Sequence, residues 1–468
     1  MHNTKLINLI STFSIDDRRS LRKWVKTDFV NKNDDIVKFF EFIDGKKTLT
    51  SKTMLKEKAY EYIYPNEHYN DLRMRHLIWM TTEIIDEFIV FISIQKNKGL
   101  KDQLLAQYYS NHELYKFANQ TIEESIIELE KEKIRNADFH LYQFRMNALY
   151  FQINSKNDRS KDFKFQGIVD HTTMFLLIES LKYACITQSL LKIAEIKVDN
   201  HLLPATLQLI ENPKFLEDTV VRIYYNIYLV ITEENEVAFF QFIKDLQHNN
   251  HLFAPLDLKD LYLLAINFCV KKSNENKINF TKQAFELYIY AIENAYLLER
   301  NEISRFSFTN VVTLGIKLKE YSKTEKFILQ FSKLIAKEYQ KNTVEFNSAK
   351  LFYAKGQNQK ALKLLITLEL KDILWDLNAK YLFLKILFEN KEMKRFSVYL
   401  KAFIAFVQRK KNIGYHFTYF TNVGKSLLIL KEIHKKPDNY MTFQFDKETP
   451  DWEWFNKALK SFSEGDKK

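Results

Sequence analysis

The stretch Ala349-Lys-Leu-Phe-Tyr-Ala-Lys-Gly356-Gln-Asn-Gln-Lys-Ala361-Leu-Lys-Leu-Leu365 reads as two helices joined by a tight turn. Beyond the turn, Ala361, Leu364, Leu365 and Leu368 fall at i, i+3, i+4 and i+7, which makes one apolar stripe. Gly356 stands where the backbone must reverse, and glycine takes φ > 0 without a Cβ clash. Small residues stand before and after the turn, at Ala349 and Ala361.

The pattern extends outward. Between 309 and 402 the chain carries a 34-residue register. Gly315 and Ala349 are one period apart, as are Leu318, Phe352 and Ile386, Phe331, Leu365 and Tyr399, and Leu334, Leu368 and Ala402. Phe327 matches Ala361. This register resembles the tetratricopeptide repeat, a 34-residue helix–turn–helix unit. Arg395 and Phe383 depart from it, standing where the next copy would place small residues. The segments 220–246 and 258–298 follow the plan loosely. The whole chain also resembles a family of bacterial helical-repeat proteins, from which no function carries over. The resemblance implies hairpins stacked into a solenoid with a concave face, because a lone hairpin cannot bury its own apolar side.

Composition points the same way. Hydrophobic residues make up 46% and charged residues 28% of 468, which fits a folded chain. Gly and Pro number 8 and 6, about 3% together where roughly 12% is usual. β-proteins and phosphate-loop enzymes need many such residues, whereas stacked helices need few. The expected fold is therefore all-α: stacked antiparallel helical hairpins, a superhelix of tetratricopeptide type, after an N-terminal helical bundle. The expected divisions are a bundle over 1–97, long helices and a polar loop over 98–166, the hairpin array over 167–436, and a tail with a short capping helix over 437–468. Within the bundle, helices are expected near 3–12, 16–30, 34–43, 51–62 and 70–97, and one or two long helices over 103–155.

Caps support this outline. Ser322-x-x-Glu325 has the form of a capping box opening a helix that runs to Tyr339. Thr449-Pro450-Asp451 places a cap, a first-position proline and a first-turn acid. Asp16-Asp17, Asp34-Asp35 and Glu233-Glu234 suit helix N-termini, where carboxylates offset the macrodipole. No run approaches about 18 uninterrupted apolar residues, so no membrane span is expected, and no secretory leader is read at Met1–Phe13. The expected location is the cytoplasm.

Motifs for chemistry are scarce. Gly424-Lys425-Ser426 lacks the glycine five residues earlier that a phosphate loop needs, since Tyr419 stands there. A glycine at a close helix contact is the better reading. His248 and His251 have no carboxylate between them and precede Pro255, as exposed turn residues would. Cys185 and Cys269 match no metal or redox spacing and read as buried apolar groups. Neither catalytic residues nor a cofactor or metal is expected.

The net charge is +11, and residues 391–436 hold eleven Lys or Arg against two Glu. Lys394, Arg395, Lys401, Arg409, Lys410 and Lys411 form the candidate anion or nucleic-acid surface, with Phe396, Tyr399, Phe403 and Phe406 interleaved. The same spacing describes a solvated basic face over a core stripe. A second basic stripe, Arg18, Arg22 and Lys26, and a segment with Arg73, Arg75 and His76 allow a DNA-reading alternative. On the repeat register, Lys319, Lys350, Tyr353 and Lys380 face the concave groove. The chain is expected to be a non-catalytic binding or scaffold protein for an acidic protein or peptide partner. A nucleic-acid-associated regulator is the alternative. Asp451-Trp-Glu-Trp-Phe455 is read as a capping helix, with a docking motif as the second reading.

Overall fold

The computed structural model describes residues 1–155, 163–191, 197–410, 412–435 and 443–463. The chain divides into two compact units, Met1–Ser180 and Leu181–Lys468. Both are built from helices, and the helical expectation holds; among the described residues the one sheet is a two-stranded ribbon.

In the first unit the helices are α1 (Lys5–Thr12), α2 (Ile15–Val25), α3 (Asp34–Asp44), α4 (Lys56–Ile63), α5 (Asp71–Lys96), α6 (Lys98–Asn111), α7 (Tyr115–Lys131), α8 (Ala137–Asn154) and the start of α9 (Phe165–Leu191). Caps fix several starts. Ser14 Oγ accepts the Asp17 amide and donates to the Asp17 carboxylate, a reciprocal box that, with Lys96, holds that carboxyl below its ordinary range. Asn70 and Asn97 cap α5 and α6 the same way with their side-chain oxygens. One core joins α1 to α5 through Leu6, Leu21, Phe39, Phe40, Ile85 and Phe88. A smaller one joins α6 to α8 through Ala106, Ala118, Ile122, Met146 and Ile153. The 103–155 region forms three helices rather than one or two, because the chain turns at Glu113 (φ 60°) and again after Lys131.

The second unit continues α9 and adds α10 (Leu203–Ile210), α11 (Lys214–Glu217), α12 (Thr219–Glu233), α13 (Glu236–His248), α14 (Pro255–Asn274) and α15 (Ile278–Glu293). A ribbon of β1 (Leu298–Glu299) and β2 (Glu302–Ile303) follows. Then come α16 (Arg305–Lys317), α17 (Tyr321–Phe331), α18 (Lys337–Ala354), α19 (Asn358–Ile366), α20 (Ile373–Glu389), α21 (Met393–Arg409), α22 (Tyr415–Lys435) and α23 (Trp452–Ser463). Most neighbouring helices pack in sequence order, and three of the first helices also pack on the next one, α12 on α14, α16 on α18 and α18 on α20. One core runs from Phe346 through Leu384 and Phe403 to Trp454 and Phe455.

A single device closes the hairpins of both units. The turn residue is left-handed at Glu113, Glu234, Asn276, Lys319, Gly356 and Lys391. In five of the six, the amide after it bonds back five residues, as Leu114 to Tyr109, Lys277 to Lys272, Glu320 to Gly315, Gln357 to Phe352 and Glu392 to Leu387. That is the Schellman ending of a helix. Seven residues before and five after each turn lie the crossing residues. The pairs are Ala106 with Ala118, Ile227 with Phe239, Cys269 with Thr281, Val312 with Thr324, Ala349 with Ala361, and Leu384 with Phe396, all at most 1% exposed. Cys269 is therefore a packing residue, and burial raises its thiol pKa, as it pushes that of Cys185 up to about 12.

These turns correct the register. Those at Lys319, Gly356 and Lys391 lie 37 and 35 residues apart, not 34. A slip of three residues keeps the same helix face, so the apolar pattern survives it. A slip of one explains both anomalies: the crossing residues of the third hairpin are Leu384 and Phe396, while Arg395 is exposed and pairs with Glu392. Gly315 sits one turn beyond the crossing position, where a Cβ would overlap Thr324 Oγ1.

Three capping readings change. Helix α17 begins at Tyr321 behind Glu320, so Ser322 lies within its first turn, and Glu325 pairs with Lys355 (2.8 Å). It stops at Phe331, before a 3-10 turn at Ser332–Leu334, instead of reaching Tyr339. Asp446 Oδ1 captures the Thr449 amide and hydroxyl (both 2.9 Å), so α23 starts at Trp452, after Asp451 at φ 57°. Asp16-Asp17 and Asp34-Asp35 do open helices, but Glu233-Glu234 ends one. Lys271 and Lys272 grip Glu234 there, holding its carboxyl at about 2.

Among the described residues one helix, α9, is long and apolar enough to cross a bilayer. It carries Asp170, Glu179 and Lys182, and Lys182 donates to Asp257 at 2.6 Å, charges that a hydrocarbon layer would penalise.

Candidate partner-binding face

The first helices of successive hairpins are tied by polar side chains. Lys317 of α16 donates to Ser273 O of α14 at 2.6 Å. Lys350 of α18 donates to Thr313 Oγ1 of α16 at 2.6 Å. Tyr353 of α18 donates to Glu389 of α20 at 2.6 Å. Lys350 and Lys385 stand at the same offset, six residues before their turns at Gly356 and Lys391. Their charged surroundings differ. Lys385 holds a carboxylate, Asp451, at 2.7 Å. Among the described residues no carboxylate pairs with Lys350, which meets Thr313 and the Phe346 ring (5.7 Å). Lys350 is half-buried, and partial loss of hydration without a counter-charge pulls its ammonium down to about 8.

The four groove candidates fall into separate places. Lys350 and Tyr353 share α18, Lys319 is the left-handed turn residue after α16, and Lys380 lies elsewhere on α20. Lys380 pairs with Asp376, covers the Phe406 ring (4.9 Å) and lines a cavity of about 330 Å³ between α19, α20 and α21. Arg409 lines the same cavity, which joins one groove candidate to one surface candidate.

Of the other basic candidates, Lys394 and Lys401 are exposed on α21 and, among the described residues, have no carboxylate partner; Lys410 lies over Phe406 at 5.7 Å. Lys411 lies outside the described residues. The interleaved aromatics divide: Phe396 and Phe403 are core, while Tyr399 is about half exposed. The N-terminal cations are engaged internally. Arg22 pairs with Asp44, Lys26 with Glu41 (2.6 Å) and Arg75 with Asp71, while Arg73 pairs with Glu67 (2.6 Å) and stacks on Tyr64 (3.7 Å). Arg18 donates to Ile10 O at 3.0 Å.

The remaining motifs have structural explanations. Gly424 lies inside α22, where a Cβ would press on Ile404 at 3.3 Å, and Ser426 is buried. His248 Nδ1 meets Lys244 O at 2.7 Å at the end of α13, and His251 sits in an exposed turn. Among the described residues no three metal-ligating side chains converge.

Two features escaped sequence reading. His140 of α8 and His171 of α9 meet through Nδ1 atoms at 3.0 Å. Burial pushes the His140 imidazole down to about 3, with the His171 ring and Arg135 adding to the effect. Their separation of 31 positions hides the pair. The second is the seat of the C-terminal segment. Asp451 Oδ2 accepts from Lys385 Nζ (2.7 Å) and Tyr381 Oη (2.8 Å). Trp454 Nε1 donates to the Glu389 oxygen that Tyr353 also binds (2.7 Å). The Lys385 ammonium lies 5.6, 5.4 and 4.8 Å from the rings of Tyr353, Tyr381 and Trp454.

No protein-family model matches the chain, and no curated protein or solved structure matches it either.

Proposed function

We propose that the protein is a cytoplasmic, non-catalytic binding or scaffold protein. Its second unit works as a solenoid of tetratricopeptide type that receives an acidic protein or peptide on its first helices. What supports this reading is the row of equivalent lysines. Lys385 already holds a carboxylate, while Lys350, one hairpin earlier, is half-buried against Thr313 and Phe346 and, among the described residues, has no carboxylate paired with it. A half-buried ammonium has already given up part of its hydration, so pairing with an incoming carboxylate costs it less.

The test is recovery of partners from cell extract on the immobilised chain, with and without nuclease. Two variants run in parallel: Lys350→Glu, and Lys394, Arg395, Arg409, Lys410 and Lys411 all changed to Glu. A protein partner that survives nuclease, persists with the five-residue variant and is lost with Lys350→Glu is the expected result. Nucleic acid that is lost on the five-residue reversal would overturn the reading and place function on the basic surface, where steep salt dependence should accompany it.

A further inference from the structure

The C-terminal segment makes contacts within itself as well as with the surface it sits on. Asn456 brackets Phe445, its Oδ1 accepting the Phe445 amide and its Nδ2 donating to the Phe445 carbonyl (both 2.8 Å). The Phe445 ring packs on Phe455 at 4.9 Å. This clasp presents Asp451 and Trp454 from the start of α23, with Phe455 and Ala458 buried behind them.

The receiving surface reads that pair at two points. Lys385 and Tyr381 bind the carboxylate, and Glu389, oriented by Tyr353, accepts the indole N–H. Tyr381 and Phe388 pack around the indole ring at 6.4 and 6.0 Å. Both contacts are charge-assisted and directional, which is unlike a cap made only of apolar cover. The surface also has a way to stand open. Lys385 and Glu389 are one helical turn apart on α20, so each can pair with the other when Asp451 and Trp454 leave. Opening then strands no buried charge.

We propose that this face of α18 and α20 is a receptor for a partner helix that begins Asp-x-x-Trp-Phe, and that the chain's own residues 443–463 are its resident, exchangeable ligand. This rests on the acidic-partner reading and gives that partner a recognition element. A tethered ligand competes at an effective concentration of order mM, so the resident segment sets a threshold that a partner must exceed. A partner that also carries an acid reaching Lys350 has an added contact that the resident lacks.

The experiment titrates a fluorescein-labelled peptide of residues 443–463 against full-length protein and follows anisotropy. Against the wild-type chain, binding is expected to be weak. Against the full-length double variant Asp451→Ala/Trp454→Ala, it should tighten at least ten-fold. It should vanish when Lys385→Ala is added, or when the peptide itself carries Asp451→Ala and Trp454→Ala. No binding to the double variant, with helix content by circular dichroism unchanged, overturns the proposal. Hydrogen exchange on the wild-type chain serves if that variant does not fold. Excess peptide should speed exchange across α23 while α20 and α22 stay protected, and unchanged α23 exchange overturns the proposal. Concentration-dependent dimers of the wild-type chain, cross-linked through α23, would overturn it in favour of exchange between copies. The Lys350 test uses a chain with its segment in place, so either idea can fail without the other.

Discussion

Hairpins α6–α7 and α18–α19 have the same crossing in different surroundings. Each places alanine seven residues before the turn and five after it, Ala106 and Ala118 around Glu113, Ala349 and Ala361 around Gly356. Next to the first, α8 buries His140, Gln143 and Asn147. Next to the second, α20 buries Leu382, Phe383, Leu384 and Leu387, and the polar residues buried in α18 itself are Thr343 and Asn347. The crossing thus sets hairpin geometry, while the adjoining helix decides whether the packed interior can take up a proton.

The largest expected effect probes the crossing. Phe396 fills in α20–α21 the position that Ala361 fills in α18–α19. Phe396→Ala should cost about 3–5 kcal/mol in chemical denaturation of the second unit, because the other helix cannot close the gap. Ala118→Leu and Ala361→Leu should each cost about 1–3 kcal/mol by overpacking. Costs that differ widely between these two would break the equivalence of the hairpins.

The next effect separates the surroundings. His140 has a folded pKa of about 3 against about 6.5 when unfolded. The unfolded chain therefore binds the extra proton between those values. Stability of the first unit should be full above pH 6.5 and fall as the pH drops below it, by about 3 kcal/mol near pH 4.5. Exchange protection of α8 should fall with it, and His140→Phe should flatten the slope. Glu234 behaves otherwise. With its pKa lowered from 4.5 to about 2, its contribution is present above pH 4.5 and is lost as the pH falls toward 2. The wild-type and Glu234→Gln melting temperatures should differ at pH 6 and converge near pH 2. The gap should be small, under about 1 kcal/mol, because the pair is partly solvated.

The smallest effects concern the turns. Gly356→Ala meets no atom within 4 Å, so its cost of about 1 kcal/mol is purely the left-handed backbone. Glu113→Gly should stabilise α6–α7 by up to about 1 kcal/mol for the same reason, read as a shift in denaturation midpoint. Opposite signs at equivalent turns would sharpen the comparison, and equal signs would break it.

How far the sequence could be read follows from these same residues. Helical periodicity and the Ala349–Gly356–Ala361 hairpin were legible because burial at a crossing demands small or apolar side chains at fixed offsets. The exact register was not, since a three-residue slip leaves the apolar face intact. Turn glycine was a poor guide, because Glu, Asn and Lys hold five of the six equivalent left-handed positions. Spacing alone could put Lys350 and Tyr353 on one helix, and could not show Lys385, Tyr381 and Glu389 meeting the C-terminal segment. Asp451, which Lys385 and Tyr381 bind, is 66 residues from Lys385, and Trp454 is 65 residues from Glu389; no local spacing records such meetings. The His140–His171 contact escaped for the same reason.

Those left-handed turns also bear on cleavage by proteases. Lys319 and Lys391 are exposed and would pass for trypsin sites. A protease needs an extended strand in its cleft, however, and both lysines are locked at φ of about 60° inside bonded turns. Cutting after either should require its hairpin to open first. The rate at which trypsin nicks the intact protein at these two lysines is therefore a clock for opening of α16–α17 and α20–α21.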